Sequence, residues 1–139
     1  MFYNSLGSLD CPPTPSPTVT VQPTSAPTTV TRQPTAGSYT FTSKTELQTA
    51  VNLWVSDERS AKDTYGPIAN WDTHLITDMS YLFQNKDTFN DDISSWDVSR
   101  TTIMAVMFWG ATSFNQDISS WDVGHTTNMG SMFYGAKSF

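Results

Sequence analysis

The sequence predicts an α/β fold: a right-handed solenoid of about three 25-residue coils, each a short strand followed by a short helix. Aromatic residues recur with this period in two sets, which are Trp71, Trp96 and Trp121, then Phe89, Phe114 and Phe139. The 19 residues that begin at the second tryptophan match those that begin at the third at 12 positions. A fixed period of this length is typical of proteins built from stacked repeats.

Residues 1–37 differ in composition from everything that follows. Seven of the eight prolines and eight threonines lie between Cys11 and Gly37, with Arg32 as the single charge there. Such a segment favours extended conformers and lacks the apolar residues that offset ordering entropy. We expect a disordered spacer, and since Ser/Thr-rich segments with proline are typical of O-glycosylated stalks, residues 14–35 are candidate O-glycan sites.

The two ends of the chain and its single cysteine allow three further predictions. Met1 to Asp10 carry no Lys or Arg and no apolar run of seven, so no signal peptide or membrane anchor is predicted there. Phe139 falls in the middle of a repeat, and the array is therefore expected to be truncated. Cys11 is the only cysteine, which excludes an intrachain disulfide; an inert thiol is expected, and pairing with another chain is the alternative.

The charge balance argues against nucleic acid as a partner. After Gly37 the chain has twelve acidic residues and six basic ones, and the formal net charge of the whole chain is −6. Binding to a phosphate backbone relies on clustered Lys and Arg.

Residues 38–67 are predicted to cover the first coil. Ser43-Lys-Thr-Glu46 is a capping-box pattern, and it opens a run with one apolar face. That face consists of Leu47, Ala50, Val51 and Trp54. We expect a strand-like lead-in followed by a helix that shields the end of the stack. The other end has no such segment, so Met132, Phe133 and Phe139 are expected to be exposed.

Residues 68–139 are predicted to form the repeat array. Ile93-x-x-Trp96-x-Val98, with its counterpart after Ile118, fits a leucine-rich-repeat-like strand. Trp96 and Val98 would face the core and Asp97 the solvent. Each strand is followed by a candidate N-cap, by Met and Phe at helical spacing, and by a residue that tolerates the left-handed conformation. The caps are Thr77, Thr102 and Thr127; the end positions are Asn85, Gly110 and Gly135.

A polar residue recurs directly after the Trp of each predicted strand. These residues are Asp72, Asp97 and Asp122. In stacked coils these carboxylates would form a row whose like charges repel modestly. One interpretation is that each Asp accepts hydrogen bonds from nearby donors and is a feature of the fold. The other is an acidic strip that meets a cation or a basic partner surface.

Trp109 and Tyr134 form a second row, with Gln84 in the first copy. Exposed stacked aromatics could hold a sugar ring, so glycan binding is an alternative function, while partial burial against the next coil is the plainer explanation. His74 and His125 fall at different phases of the repeat and are interpreted as surface residues. Asp91, Asp92 and Asp117 are interpreted as turn formers, because their spacing does not match a calcium loop.

The strings at 114–123 (FNQDISSWDV) and 126–139 (TTNMGSMFYGAKSF) resemble the BspA-like leucine-rich-repeat surface proteins, which share a repeat found in a domain of unknown function from Mycoplasma-type lipoproteins. The resemblance covers roughly residues 65–139. It implies a secreted or surface-displayed repeat protein, adhesive or ligand-binding, with no assigned catalysis. The expected ligand is an extracellular protein or, if Trp109 and Tyr134 form the site, a glycan. No catalytic motif, cofactor or metal site is predicted, and the expected localisation is extracellular or at the cell surface.

Overall fold

The computed structural model describes residues 37–139; Cys11, the candidate O-glycan sites and all of the predicted spacer except Gly37 lie outside the described residues. Three helical elements come first: α1 (Lys44–Ser56), α2 (Glu58–Tyr65) and a single 3₁₀ turn at Ile68–Asn70. Three repeats follow, which we define as residues 71–95, 96–120 and 121–139.

Helix α1 begins as its sequence predicts. The Ser43 hydroxyl accepts a hydrogen bond from Glu46 N–H at 3.2 Å. The Glu46 carboxylate in turn accepts a hydrogen bond from Thr42 N–H at 3.0 Å. In a capping box this donor would be the N–H of the cap residue itself; here it is the N–H of the residue before it. The four apolar positions predicted for one face are all buried. The prediction of this helix is confirmed.

Helix α2 was not predicted from the sequence. Asp57 ends α1 and also caps α2, because its carboxylate accepts from Ser60 N–H at 3.1 Å. Helix α2 buries only Ala61, so it offers little apolar periodicity from which it could have been recognised. Gly66, at φ 77°, ends it.

Helix α1 lies against the first repeat, and three of its side chains make polar contacts with it. Lys44 Nζ is 3.0 Å from the Asp78 carboxylate. Gln48 Nε2 donates to the carbonyl of Leu82 at 3.0 Å. Trp54 Nε1 donates to Asp91 at 2.9 Å. The lead-in is extended but forms only an isolated parallel bridge, from Thr40 to Asp72.

The predicted α/β solenoid of strand–short-helix coils is wrong. Within residues 37–139 no β-strand forms, and outside the lead-in the pairing is limited to bridges from Ile103 to Asp78 and to Asn128. The segments after Thr77, Thr102 and Thr127, predicted as two-turn helices, are successive turns. The leucine-rich-repeat-like pattern therefore identified buried positions but not the backbone conformation.

The reason is that alternate N–H groups of these segments donate to the next repeat, while those between them, such as the N–H groups of Leu82 and Gln84, close turns onto the residue three positions earlier. Residues of the first repeat donate N–H groups to carbonyls of the second; the pairs are Met79 to Ile103, Tyr81 to Ala105, Phe83 to Met107 and Asn85 to Trp109, at 2.8–3.2 Å. Tyr81, and Val106 and Ser131 at the same phase, have φ of 64°, 63° and 55°. A left-handed residue in this place is incompatible with an α-helix.

Aromatic columns run through the core of the repeats. Phe83, Phe108 and Phe133 stack with centroids 5.2 and 5.5 Å apart. A neighbouring column contains the last aromatic of each repeat: Phe89, Phe114 and Phe139. Stacked pairs of this kind contribute roughly 0.5–1.5 kcal/mol each beyond the area they bury.

The recurring tryptophans are buried, and each indole N–H is fixed. Trp96 Nε1 donates to the carbonyl of Ile68 at 2.9 Å, and Trp121 Nε1 donates to Ile93 at 3.1 Å. Val98 is buried as well, so the prediction that Trp96 and Val98 face the core is confirmed even though no strand forms there. Each indole ties its repeat to backbone that precedes it.

The end of the third repeat differs in part from expectation. Phe139 is 51% exposed and Phe133 is partly buried, but Met132, predicted to be exposed, is only 5% exposed. Met132 belongs to the buried core cluster, and its carbonyl accepts a hydrogen bond from Phe108 N–H at 2.8 Å.

The positions predicted to tolerate the left-handed conformation adopt it, with φ of 55° at Asn85, 71° at Gly110 and 77° at Gly135. They differ in the space around them. A Cβ added to Gly110 would lie 2.6 Å from the Asn85 side-chain oxygen, whereas one added to Gly135 would meet Gly110 at an ordinary 3.6 Å.

We predict that Gly110→Ala lowers the free energy of unfolding by about 1–3 kcal/mol through strain and clash together. Gly135→Ala, which adds the backbone strain alone, should cost about 1 kcal/mol. Gly130→Ala is the control, since its φ is not positive, and should change stability by less than about 0.5 kcal/mol. Urea unfolding followed by tryptophan fluorescence measures all three. Equal effects of the first two changes would contradict the role of the Asn85 contact.

Candidate functional site

The three recurring aspartates each close a local turn. Asp72 accepts from His74 N–H at 3.2 Å, Asp97 from Ser99 N–H at 3.0 Å, and Asp122 from Gly124 N–H at 2.9 Å. A carboxylate that accepts from the N–H two residues later forms an Asx turn. All three residues therefore have the geometry of the first interpretation, in which each Asp accepts a hydrogen bond from a nearby donor.

The same turn occurs at other phases of the repeat. It is formed by Asp78, Asp92, Asp117 and Asn128. The interpretation of Asp92 and Asp117 as turn formers is confirmed. Asp91 has a different role, as the acceptor for the Trp54 indole.

The three aspartates of the row are not equivalent. Asp72 accepts on both oxygens, from His74 Nδ1 at 2.7 Å and from the Thr40 hydroxyl at 2.9 Å, in addition to the turn. Asp97 and Asp122 are exposed and are held only by donors of their own turns. The carboxylates most available to a partner are therefore those of Asp97 and Asp122.

The structure brings Asp72 and Asp97 to one shallow surface depression of about 330 Å³, which Trp71 and Ser95 also line and Asp122 does not. Hydrogen bonds from Ser99 lower the pKa of Asp97 and outweigh the opposing effect of the negative charge on Asp72. Two carboxylates alone are a weak cation site. Among residues 37–139, no group of three or more His, Cys, Asp or Glu side chains is placed to hold a metal ion.

Hydrogen bonds keep these carboxylates acidic. Burial alone would raise the pKa of Asp72, but the bonds from His74 and Thr40 outweigh it, and its pKa lies below the ordinary value. The Ser99 hydroxyl and backbone N–H lower the pKa of Asp97. The N–H of Thr42 and the Tyr39 hydroxyl do the same for Glu46. All three are therefore charged at neutral pH.

The alternative site, Trp109 and Tyr134, is a stacked pair. The ring centroids are 5.9 Å apart and the planes differ by 12°. Holding a sugar between two rings requires roughly 7 Å, because each contact takes roughly 3.5 Å. Trp109 is partly buried, as the plainer interpretation predicts, and Tyr134 is 68% exposed. Tyr134 therefore carries the more exposed ring of the pair.

A second set of recurring polar residues was not recognised from the sequence. Hydroxyls at the same phase donate to carbonyls of the preceding repeat, as Thr101 does to Ile76 at 2.9 Å and Thr126 does to Thr101 at 2.8 Å. Ser120 donates to Ser94 in the same way. The signal was present, since Thr-Thr and Ser-Ser recur with the period, but of each Thr pair only the second residue, Thr102 or Thr127, was given a role, that of a helix cap.

His74 and His125 do not meet. His74 is bound to Asp72, and His125 is exposed in the third repeat. The described helices do not include one long and apolar enough to cross a bilayer.

A family model described as "Mycoplasma protein of unknown function, DUF285" matches residues 53–139. No curated protein matches the chain, and no solved structure does.

We predict that Asp97→Ala and Asp97→Asn have different effects on stability. Asparagine retains the oxygen that closes the turn, so Asp97→Asn should change the free energy of unfolding by less than about 0.5 kcal/mol. Alanine removes the acceptor and should cost about 0.5–1.5 kcal/mol. Asp87→Ala, on an exposed side chain, is the control for loss of a charge. If both changes at Asp97 were equally destabilising, charge rather than the turn would be responsible.

We also predict that stability falls on acidification. The pKa values of Asp72, Asp97 and Glu46 are lowered in the fold, so the native state binds fewer protons than the unfolded chain. Their contribution is complete above the ordinary values of 3.8 for Asp and 4.5 for Glu, and is lost as pH falls through the lower folded values. Thermal unfolding between pH 7 and pH 2.5 measures this. Glu46→Gln should flatten the part of the profile near pH 4; an unchanged profile would contradict the assignment.

Proposed function

The chain belongs to the Mycoplasma family of unknown function DUF285, and from this premise we propose that it is a non-catalytic repeat protein of the cell surface or extracellular space that serves in adhesion or protein–protein recognition. The resemblance of its repeats to BspA-like surface proteins supports the proposal. So does the acidic balance of the chain, with a formal net charge of −6, which favours a basic partner surface.

The observation that carries the proposal is where the recurring side chains lie and what they contact. Those of the interior pack in columns, and the hydroxyls bind backbone of the adjacent repeat. What each repeat adds to the outside is a small set of exposed groups at fixed phase, among them Asp97 and Asp122. A surface of identical groups at regular spacing suits recognition of an extended partner through several weak contacts.

On this proposal, Asp97 and Asp122 are the acidic contacts for a cationic partner. Both side chains are exposed and fixed in orientation by their turns, so little side-chain entropy is lost on binding. Asp72 contributes less, because its oxygens are occupied by His74 and Thr40.

The test uses a ten-residue oligolysine peptide as the probe, with binding mapped by amide chemical shifts. We predict shifts centred on Asp97 and Asp122 that weaken steeply with added salt. Asp97→Asn with Asp122→Asn keeps both turns and should reduce the affinity roughly five- to tenfold. The matched control is Asp92→Asn with Asp117→Asn, which removes the same charge from turns at another phase.

The two double variants separate the outcomes. If both weaken binding equally, the peptide responds to net charge and the proposed contact surface is wrong. Binding of glucose or galactose that quenches tryptophan fluorescence would instead favour glycan recognition. In that case Trp109 would be the reporter, since Trp54, Trp71, Trp96 and Trp121 are buried.

A further inference from the structure

A surface depression lies between the two helices and the first repeat. Its volume is about 300 Å³, and it is separate from the depression that Asp72 and Asp97 line. One water molecule takes roughly 30 Å³ of the liquid, so the depression has room for a lysine or arginine side chain. Its lining residues come from α1, α2 and the first repeat; they are Trp54, Val55, Glu58, Thr88, Phe89 and Asp91.

The lining combines aromatic rings with two carboxylates. Trp54 and Phe89 belong to the buried core. Glu58 is exposed and Asp91 is partly buried, so solvent reaches both acidic side chains. A positively charged group is attracted both to a carboxylate and to the face of an aromatic ring. The depression therefore suits a cationic group rather than an anionic one.

Asp91 has one carboxylate oxygen that is bound and one that is free for a ligand. Its Oδ2 accepts a hydrogen bond from Trp54 Nε1 at 2.9 Å, which orients the carboxylate beside the indole. Within residues 37–139, no group donates to its Oδ1. A ligand that donates to Oδ1 would therefore meet an oriented acceptor and leave the bond to the indole intact.

An ammonium group of the chain itself already contacts two of the lining residues. The Lys62 ammonium forms an ion pair with Glu58, four residues earlier on α2, and lies 5.3 Å from the centroid of the Trp54 ring. The two side chains of the ion pair are 48% and 53% exposed. An ion pair this exposed contributes little to stability. Lys62 is therefore a weakly held internal occupant that a ligand can replace.

We propose that this depression binds the side-chain ammonium of a lysine from a partner protein, which replaces Lys62 at Glu58 and Trp54 and is also bound by Asp91. Lys62 identifies the class of ligand, since its own ammonium contacts two of these residues. Asp91 favours the ligand, because no hydrogen bond or ion pair joins it to Lys62. The site shares with the proposed function only the basic character of the partner, and it involves none of the recurring aspartates.

The probe is Nα-acetyl-lysine N-methylamide, whose only charge is its ammonium group. Binding to the full, isotope-labelled chain is followed by NMR through the indole N–H resonance of Trp54. We expect a saturable shift of this resonance with a Kd roughly in the millimolar range, as suits a ligand with one side chain. The corresponding norleucine derivative has no charge and should leave the resonance in place. Equal shifts with both derivatives would overturn the proposal, because the depression would then bind the aliphatic chain alone.

Two pairs of variants test the residues of the site. Asp91→Asn keeps an acceptor for Trp54 Nε1 but removes the charge, and it should weaken binding about fivefold. Its control is Asp92→Asn, which removes an exposed charge and keeps the turn. Lys62→Gln removes the internal occupant and should tighten binding about threefold. Its control is Lys137→Gln, which removes an exposed charge from the third repeat and should change the Kd by less than about 1.5-fold.

The outcomes distinguish this site from the acidic contacts of the proposed function. Equal effects within either pair of variants would overturn the proposal, since net charge would then account for binding. No shift of the Trp54 resonance at the solubility limit of the probe would overturn it as well. The amides of Asp97 and Asp122 are observed in the same spectra. Shifts confined to those amides would overturn the site at Trp54 and leave the proposed acidic contacts standing, whereas a shift at Trp54 alone would support the depression independently of them.

Discussion

The structure depends on the backbone hydrogen bonds that join its repeats. N–H groups such as those of Met79 and Phe83 donate forward to carbonyls of the next repeat, and that of Thr102 donates back to the carbonyl of Thr77. This arrangement satisfies the backbone of segments that form neither helix nor strand, which would otherwise bury unpaired polar groups. It also fixes the register between repeats, so that Phe83 lies over Phe108 and Trp71 over Trp96. The aromatic columns follow from that register.

Much of the packing could be predicted from the sequence, but the backbone conformation could not. The 25-residue period identified Trp96 and Val98 as buried, and the capping pattern at Ser43 located α1. The prediction of strands and short helices was wrong because the spacing of apolar residues indicates only which side chains face inward. Several backbone conformations can place the same side chains in the core. Val106 shows the limit: a β-branched residue at φ 63° has no local preference for that conformation, which contacts between repeats impose.

The candidate site shows a similar division. The recurrence of Asp72, Asp97 and Asp122 was visible, and so was the possibility that each accepts a nearby hydrogen bond. Their differences were not, because they arise from neighbours distant in sequence, such as Thr40 on Asp72. The hydroxyl contacts were missed for a related reason. Thr102 suggests a helix cap when only one repeat is considered, but its hydroxyl donates to the carbonyl of Thr77 in the preceding repeat.

The contacts between neighbouring repeats also bear on how such a chain can change in length. Trp96 is held by Ile68, and Trp121 by Ile93, each within the preceding 28 residues. Loss or gain of a whole 25-residue unit inside the array would leave every remaining side chain opposite an equivalent partner, whereas insertion of one residue would misalign all the columns beyond it. Gene duplication and deletion that preserve this fold are therefore restricted to whole units, and variation in repeat number between related genes is the change that the architecture tolerates best.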